Sequence, residues 1–218
     1  MICYDYINEY IRDIIPKDCG LIRELEEYAR DNGVPIIHPE VARLMVVLGK
    51  LKKPKRILEI GTAIGYSAIV LAQVLDKEGK IDTIEKKSDM IEIAKHNIKR
   101  ANLEDTINII QGDAKEVLDD INEIYDMVFI DAAKGQYLEF LRRVVGKLKE
   151  SAIVVSDNVL YRGMVASDKL LAKNKKTLVK RLREYLEYIC NNDIFDTSVI
   201  PIGDGVAVSY LNFSKKKE

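Results

Sequence analysis

Cysteine is scarce and dispersed: Cys3, Cys19 and Cys190 form no C-x-x-C pair and are odd in number, which argues against a disulfide framework and against a zinc site. They read as reduced thiols. The N-terminus carries Asp5, Glu9, Arg12 and Asp13 where a leader would need an apolar region, and no uncharged run reaches the length of a membrane span. A cytoplasmic protein with no membrane partner is the expectation. Neither sign of charge dominates: 34 Lys and Arg against 35 Asp and Glu give a net charge of −1. Any contact with nucleic acid or acidic lipid must therefore come from uneven placement. Histidine is nearly absent. His38 precedes Pro39 at a helix start and His96 falls within a helix, so both read as structural or solvated rather than as a catalytic base. There is no internal repeat, low-complexity tract or linker, and only Lys215 to Glu218 read as a frayed end.

What is present suits one domain over residues 1–218, with 47% apolar and 32% charged residues. Ile7, Tyr10, Ile11 and Ile14 recur at helical spacing, and Leu21, Leu25, Tyr28 and Ala29 do so again before Asn32-Gly33 stops a second helix. A third helix is expected over 38–51, closing an N-terminal helical part (1–52) that precedes a core over 53–213. In the core the pattern alternates. Strands are expected at 56–60, 80–84, 106–110, 126–131 and 152–156, with helices near 64–75, 88–100, 114–122 and 135–149. Such alternation predicts an α/β fold, a doubly wound, mostly parallel sheet covered by helices on both faces. A helix over 169–192 follows, with Leu178, Leu182, Leu186 and Ile189 in a stripe. Ser198 to Pro201, the turn Gly203-Asp204-Gly205 and Val206 to Leu211 then read as an antiparallel C-terminal hairpin, completing seven strands.

Everything is organised around Arg56 to Ser67, RILEIGTAIGYS. A dinucleotide fold would want G-x-G-x-x-G to seat a pyrophosphate on the helix N-terminus, but position 63 is Ala and the strand ends in Glu59. A carboxylate beside the turn repels phosphate and suits a cationic ammonium or sulfonium group. The pattern E-x-G-x-x-x-G-x-S resembles the first motif of class I S-adenosylmethionine-dependent methyltransferases, which implies their Rossmann-like sheet.

Further acids fall at strand ends. Glu85 closes the second strand, where this architecture uses an acid to accept hydrogen bonds from ribose hydroxyls; equally, it reads as a surface glutamate before Lys86-Lys87. Asp113 follows the third strand and reads either as a contact to an adenine amino group or as a helix cap. Asp131 ends the strand at Met127 to Ile130, and Asp157-Asn158 ends the one at Ile153 to Val155. If those strands are neighbours, two carboxylates and an amide carbonyl converge as a hard-oxygen set for Mg²⁺ or Ca²⁺. Lys134 either points into the same cleft or stands solvated at a helix start.

Asp131-Ala132-Ala133-Lys134 and Asp157-Asn158-Val159-Leu160 resemble the metal motifs of the cation-dependent catechol and caffeoyl-CoA O-methyltransferases, over nearly the whole chain. The resemblance implies Asp131, Asp157 and Asn158 as metal ligands, Lys134 as a base, and Ile37, Glu59, Gly61, Ser67, Glu85, Asp113, Ala114 and Asp131 as contacts to S-adenosyl-L-methionine. Animal catechol enzymes carry Trp immediately before the lysine, where this chain has Ala133 and no Trp anywhere. PKRILEIGTAIGYS, DAAKGQY, SDNVLYRGMVA and PIGDGVAVS are more similar to the bacterial branch that methylates 5-hydroxyuridine at the tRNA wobble position.

Catechol and 5-hydroxyuracil both present two adjacent oxygens that a divalent cation can chelate, so the chemistry itself favours neither. Lys169, Lys173, Lys175, Lys176, Lys180, Arg181 and Arg183, with no acid among them, read either as a phosphate-binding stripe or as a solvated face. The expectation is a Mg²⁺-dependent O-methyltransferase acting on the tRNA anticodon region. A small-molecule enzyme for vicinal hydroxyls is the alternative, and a non-catalytic RNA-binding module a third reading. Apolar faces on the N-terminal helices predict a homodimer.

Overall fold

In a computed structural model, residues 2–17 and 19–212 are described; the expected frayed end at 215–218 lies outside them. Three helices precede the sheet: α1 (Asp5–Ile14), α2 (Leu21–Asn32) and α3 (Pro39–Lys52). Gly33 stops α2 in the left-handed conformation, its amide returning to the Ala29 and Arg30 carbonyls. Pro39 opens α3 with its fixed φ, and His38 before it is extended, as a residue preceding proline must be.

The seven strands are β1 (Arg56–Ile60), β2 (Lys80–Glu85), β3 (Ile107–Gln111), β4 (Tyr125–Ile130), β5 (Leu148–Ser156), β6 (Phe195–Ile200) and β7 (Val206–Leu211). They lie in the order β3-β2-β1-β4-β5-β7-β6, with β1 to β5 parallel and β7 antiparallel to both β5 and β6. The order reverses between β1 and β4, which opens a crevice at their carboxyl ends.

Alternation along the strands separates two apolar layers. Leu58, Ile60, Val128, Ile130 and Val154 face α6 (Ala114–Asp120), α7 (Tyr137–Val144) and α8 (Lys176–Asn191). Ile57, Met127, Phe129 and Val155 face α2, α3, α4 (Tyr66–Ala72) and α5 (Ser88–Arg100). Among the described residues, no helix is long and apolar enough to cross a membrane.

Several boundaries differ from expectation, three of them for a physical reason that the structure shows. The helix expected from 169 begins at Lys176, preceded by short 3₁₀ turns at Asp168–Leu170 and Lys173–Lys175. A continuous helix would stack Lys169, Lys173, Lys175 and Lys176 on the positive end of its own dipole. The helix expected over 135–149 ends at Val144, and β5 begins at Leu148. The register shift opposite Tyr125 and Met127, with Ser151 at φ 65°, marks a bulge that hides this long strand from a period-two reading. The sixth strand runs over Phe195–Ile200 and excludes Pro201, which has no amide to donate.

Candidate active site

The ladder of backbone bonds runs one residue past the parallel strands and lines up the chemistry along one edge. Gly112 N donates to Glu85 O, Gly61 N to Ile84 O, Asp131 N to Ile60 O and Asp157 N to Ile130 O, each at 3.0 Å. Strand register thus brings together residues up to about a hundred positions apart in sequence.

Gly61 has φ 107°, and a Cβ there would lie 2.1 Å from the Asp131 carbonyl oxygen, so only glycine lets the two turns meet. Ala63 also turns left-handed, at φ 45°. Its amide donates to Glu85 Oε2 at 3.0 Å, while Lys86 N and Lys87 N donate to Oε1 at the same distance. Glu85 is therefore the anchor of the glycine turn as well as a wall of the cleft. Asp113 caps α6, accepting from Lys115 N at 3.1 Å, and lines the cleft too. The helix-cap reading of Asp113 holds without removing the side chain from the cleft wall.

The cleft measures about 440 Å³. Ile37, Gly61, Ser67, Glu85, Asp113 and Ala114 line it, together with Asp131, Lys134 and Asn158. Two expected residues do not reach its surface. Glu59 is 0% exposed and Asp157 1%. Glu59 sits beneath the glycine turn on the α4 side of β1, opposite Thr83 in register. Thr83 Oγ1 donates to Glu59 Oε2 at 2.5 Å, and since that uses its only proton, Thr62 Oγ1 must donate to Thr83 Oγ1 at 2.6 Å. Burial pushes the Glu59 carboxyl up to about 7, against the Ser67 and Thr83 hydroxyls, and the nearby Asp131 and Glu85 charges push the same way.

Asp157 Oδ1 accepts from Asn158 N at 2.7 Å, and Tyr137 OH donates to the Asp157 carbonyl at 3.0 Å. Burial and then the Asp131 charge raise the Asp157 carboxyl. Lys134 Nζ donates to Asp131 Oδ1 at 2.8 Å.

Among the described residues, two buried side-chain oxygens have no partner: Glu59 Oε1 and Asp157 Oδ2. A buried acceptor left unsatisfied is costly and points to a group that completes it. The first lies beneath the cofactor turn and suits a cationic ligand; the second belongs to a set of two carboxylates and an amide that suits a hard divalent cation. Among the described residues no three His, Cys, Asp or Glu side chains cluster as a metal site, so any such site here depends on Asn158. Both groups fit the residues present.

The basic run divides. Arg183 is consumed by the loop before α8, bonding the Val165 and Met164 carbonyls and Asp168 Oδ1. Lys180 pairs with Glu184 at 3.8 Å. Arg181 reaches the Gly135 carbonyl at 3.4 Å, which places α8 beside the Lys134 turn. Lys169, Lys173 and Lys176 are exposed. Sequence reading missed the Thr62–Thr83 relay and Tyr137; pairing Glu59 with its neighbour on β2 would have found the first. His38 is held by Arg12 at 3.2 Å and His96 is exposed, as expected of both.

Residues 16–211 match the O-methyltransferase family. A caffeoyl-CoA O-methyltransferase of Stellaria longipes is 28% identical over 216 residues, covering 93% of this chain and 88% of that protein. A crystal structure from Staphylococcus aureus, provisionally described as a caffeoyl-CoA O-methyltransferase, is 34% identical with a TM-score of 0.89, covering 95% of this chain and 100% of that one. An O-methyltransferase from Bacillus cereus, solved in complex with SAH, is 25% identical with a TM-score of 0.84 over 95% of this chain and 97% of that one.

Proposed function

Since the chain belongs to the O-methyltransferase family and is an S-adenosylmethionine-dependent enzyme of caffeoyl-CoA and catechol type, we propose that it methylates one of two adjacent oxygens chelated by Mg²⁺. The observation that carries this reading is a pair of unsatisfied buried carboxylate oxygens, at Glu59 and Asp157, each next in the chain to a residue that lines the one cleft.

In this reading Asp131, Asp157 and Asn158 hold the cation, and Ile37, Glu59, Gly61, Ser67, Glu85, Asp113, Ala114 and Asp131 hold the cofactor. When bound, the cofactor supplies an electrophilic sulfonium methyl, and the cation supplies the charge that acidifies a coordinated hydroxyl. The chain does the rest. Glu85 would present acceptors to ribose and Asp113 to the adenine amino group, and Lys134, which lines the same cleft, would take the proton of the acceptor hydroxyl. Fixing donor and acceptor in one cleft removes most of the entropic cost of their meeting. Residues 1–52 and 53–213 act as one domain, because Val34 to Ile37 and the sheet edge line the same cleft.

The preferred acceptor is 5-hydroxyuridine at the tRNA wobble position. Supporting it are the exposed lysines before and on α8 and the seating of that helix beside the Lys134 turn. The alternative is a small vicinal diol, which the name of the Stellaria relative favours. Exposed Tyr6, Tyr10 and Ile14 on α1, with Val47 and Leu51 on α3, support a homodimer, and three free thiols support a cytoplasmic setting. Incubating tRNA that bears 5-hydroxyuridine at the wobble position with enzyme, cofactor and Mg²⁺, followed by nucleoside mass spectrometry, tests the substrate. Appearance of 5-methoxyuridine is expected; turnover of caffeoyl-CoA or a catechol with tRNA untouched selects the alternative.

A further inference from the structure

The segment after Asp157 runs through left-handed backbone: Asn158 at φ 55°, Tyr161 at 43°, Arg162 at 56° and Gly163 at 77°. Three of these carry a Cβ, and such residues hold that conformation only where their surroundings over-determine it. The surroundings here are the turn between β6 and β7. Val159 N donates to Gly205 O at 2.9 Å, and Leu160 N to Asp204 O at 3.1 Å. Arg162 N donates to the Asp204 carboxylate, at Oδ1, at 2.5 Å.

The turn itself has no slack. A Cβ on Gly205 would lie 2.5 Å from Leu160 Cγ, and one on Gly203 would lie 2.8 Å from Val41 Cγ2 and 3.3 Å from His38 Cδ2. The hairpin is thus wedged between the start of α3 and the loop bearing Asn158. Asp204 is half-buried, and its charge is among those that raise the Asp157 carboxyl. It nevertheless does not line the cleft, and among the described residues it joins no cluster of three acids.

We propose that Asp204 is a positioning residue for methyl transfer: its carboxylate clamps the backbone at Arg162, and so fixes the left-handed segment that presents Asn158 to the cleft. This rests on the reading of Asn158 as a cation ligand. Sequence alone shows Gly203-Asp204-Gly205 only as a hairpin turn. What the fold adds is that this turn closes on a loop over 40 residues earlier in the chain.

The test compares Asp204→Ala with Asp204→Asn in the full chain, since Asn keeps an oxygen acceptor of the same shape and loses only the charge. Calorimetric titration with Mg²⁺ should show affinity about tenfold weaker in Asp204→Ala, the size expected for one charge-assisted hydrogen bond, and close to wild type in Asp204→Asn. S-adenosylmethionine affinity should stay within about twofold in both, because the glycine turn is untouched. Hydrogen exchange over residues 158–165 should quicken in Asp204→Ala and not in Asp204→Asn. The proposal is overturned if Asp204→Ala keeps wild-type Mg²⁺ affinity and exchange, if Asn is as impaired as Ala, or if cofactor affinity falls in step with Mg²⁺ affinity. A wild-type protein that bound no Mg²⁺ would defeat the metal reading alone, and the exchange comparison would still decide whether Asp204 holds the segment.

Discussion

Lys134 Nζ donates to Asp131 Oδ1 at 2.8 Å, so the residue placed to accept a substrate proton is itself engaged as a donor to a candidate metal ligand. A cation held by Asp131 would compete with the ammonium for one carboxylate oxygen. Replacing Lys134 with Met should therefore have opposite effects on two quantities. The methyl-transfer rate should fall by roughly 10² to 10⁴, the usual contribution of a general base, while Mg²⁺ affinity measured by calorimetry should rise. A variant with both quantities unchanged would remove Lys134 from the mechanism.

The metal reading makes a separate demand. Treating the enzyme with a chelator should abolish transfer, and added Mg²⁺ should restore it. In an Asp157→Ala, Asn158→Ala double variant, restoration should fail although circular dichroism and cofactor affinity persist. Turnover by that variant in the presence of chelator would exclude a cation held at this edge.

Glu85 anchors the glycine turn and is also the proposed ribose acceptor, and two substitutions separate these tasks. Glu85→Ala removes the acceptor for Ala63 N, Lys86 N and Lys87 N together with any bond to ribose, and should weaken S-adenosylmethionine binding by about 1 to 3 kcal/mol in calorimetry. Glu85→Gln keeps one carbonyl oxygen for the backbone and gives up the charge. An affinity nearer wild type in Gln than in Ala would show that holding the turn is the larger part. Unchanged affinity in both would remove Glu85 from the cofactor site.

The raised Glu59 carboxyl fixes the sign of a pH effect. Between its ordinary value of 4.5 and about 7, the folded protein keeps Glu59 protonated while the unfolded chain has released the proton. The unfolded state then binds fewer protons, and the stability of the ligand-free protein falls as pH rises through that window. Glu59→Gln removes this term. Its stability relative to wild type, from urea unfolding, should rise by about 3 kcal/mol between pH 5 and pH 8. Asp157 is shifted in the same direction, but it is common to both proteins and largely cancels in the difference. A pH-independent difference would mean that Glu59 is ionised in the fold.

If tRNA is the substrate, binding must depend on salt. Replacing Lys175, Lys176, Lys180 and Arg181 with Gln should lower the log-log salt slope by about 0.7 to 0.9 for each charge that meets a phosphate. Turnover of a catechol should hardly change. Arg183 is a poor probe, since its guanidinium holds Val165, Met164 and Asp168, and its loss would disturb the loop. An unchanged slope would move the RNA contact elsewhere on the surface.

The mostly parallel sheet with its antiparallel C-terminal hairpin and the acids at strand ends were legible in the sequence, because short apolar runs separated by helical periods leave few sheets to choose from. Depth was not. Glu59 and Asp157 read as cleft-facing acids, yet they are 0% and 1% exposed, since a strand-end residue lies on or under the edge according to pleat and neighbours. The start of α8 was misplaced for a related reason. The stripe from Leu178 to Ile189 is helical, but Leu170 and Leu171 belong to a segment held by bonds from further along the chain, those of Arg183 to the Val165 and Met164 carbonyls and Asp168. The clamp at Asp204 was invisible because it joins positions 162 and 204 only through the pairing of β5 with β7.

The missing side chain at position 61 also limits how this enzyme can be altered. The carbonyl of Asp131 occupies the space that any larger residue would need, with Ala132 N 3.4 Å away. A designer who rebuilt the nucleoside pocket by changing Gly61 would push the Asp131 backbone aside and detune the oxygen cluster with it. The two turns must be redesigned as one unit.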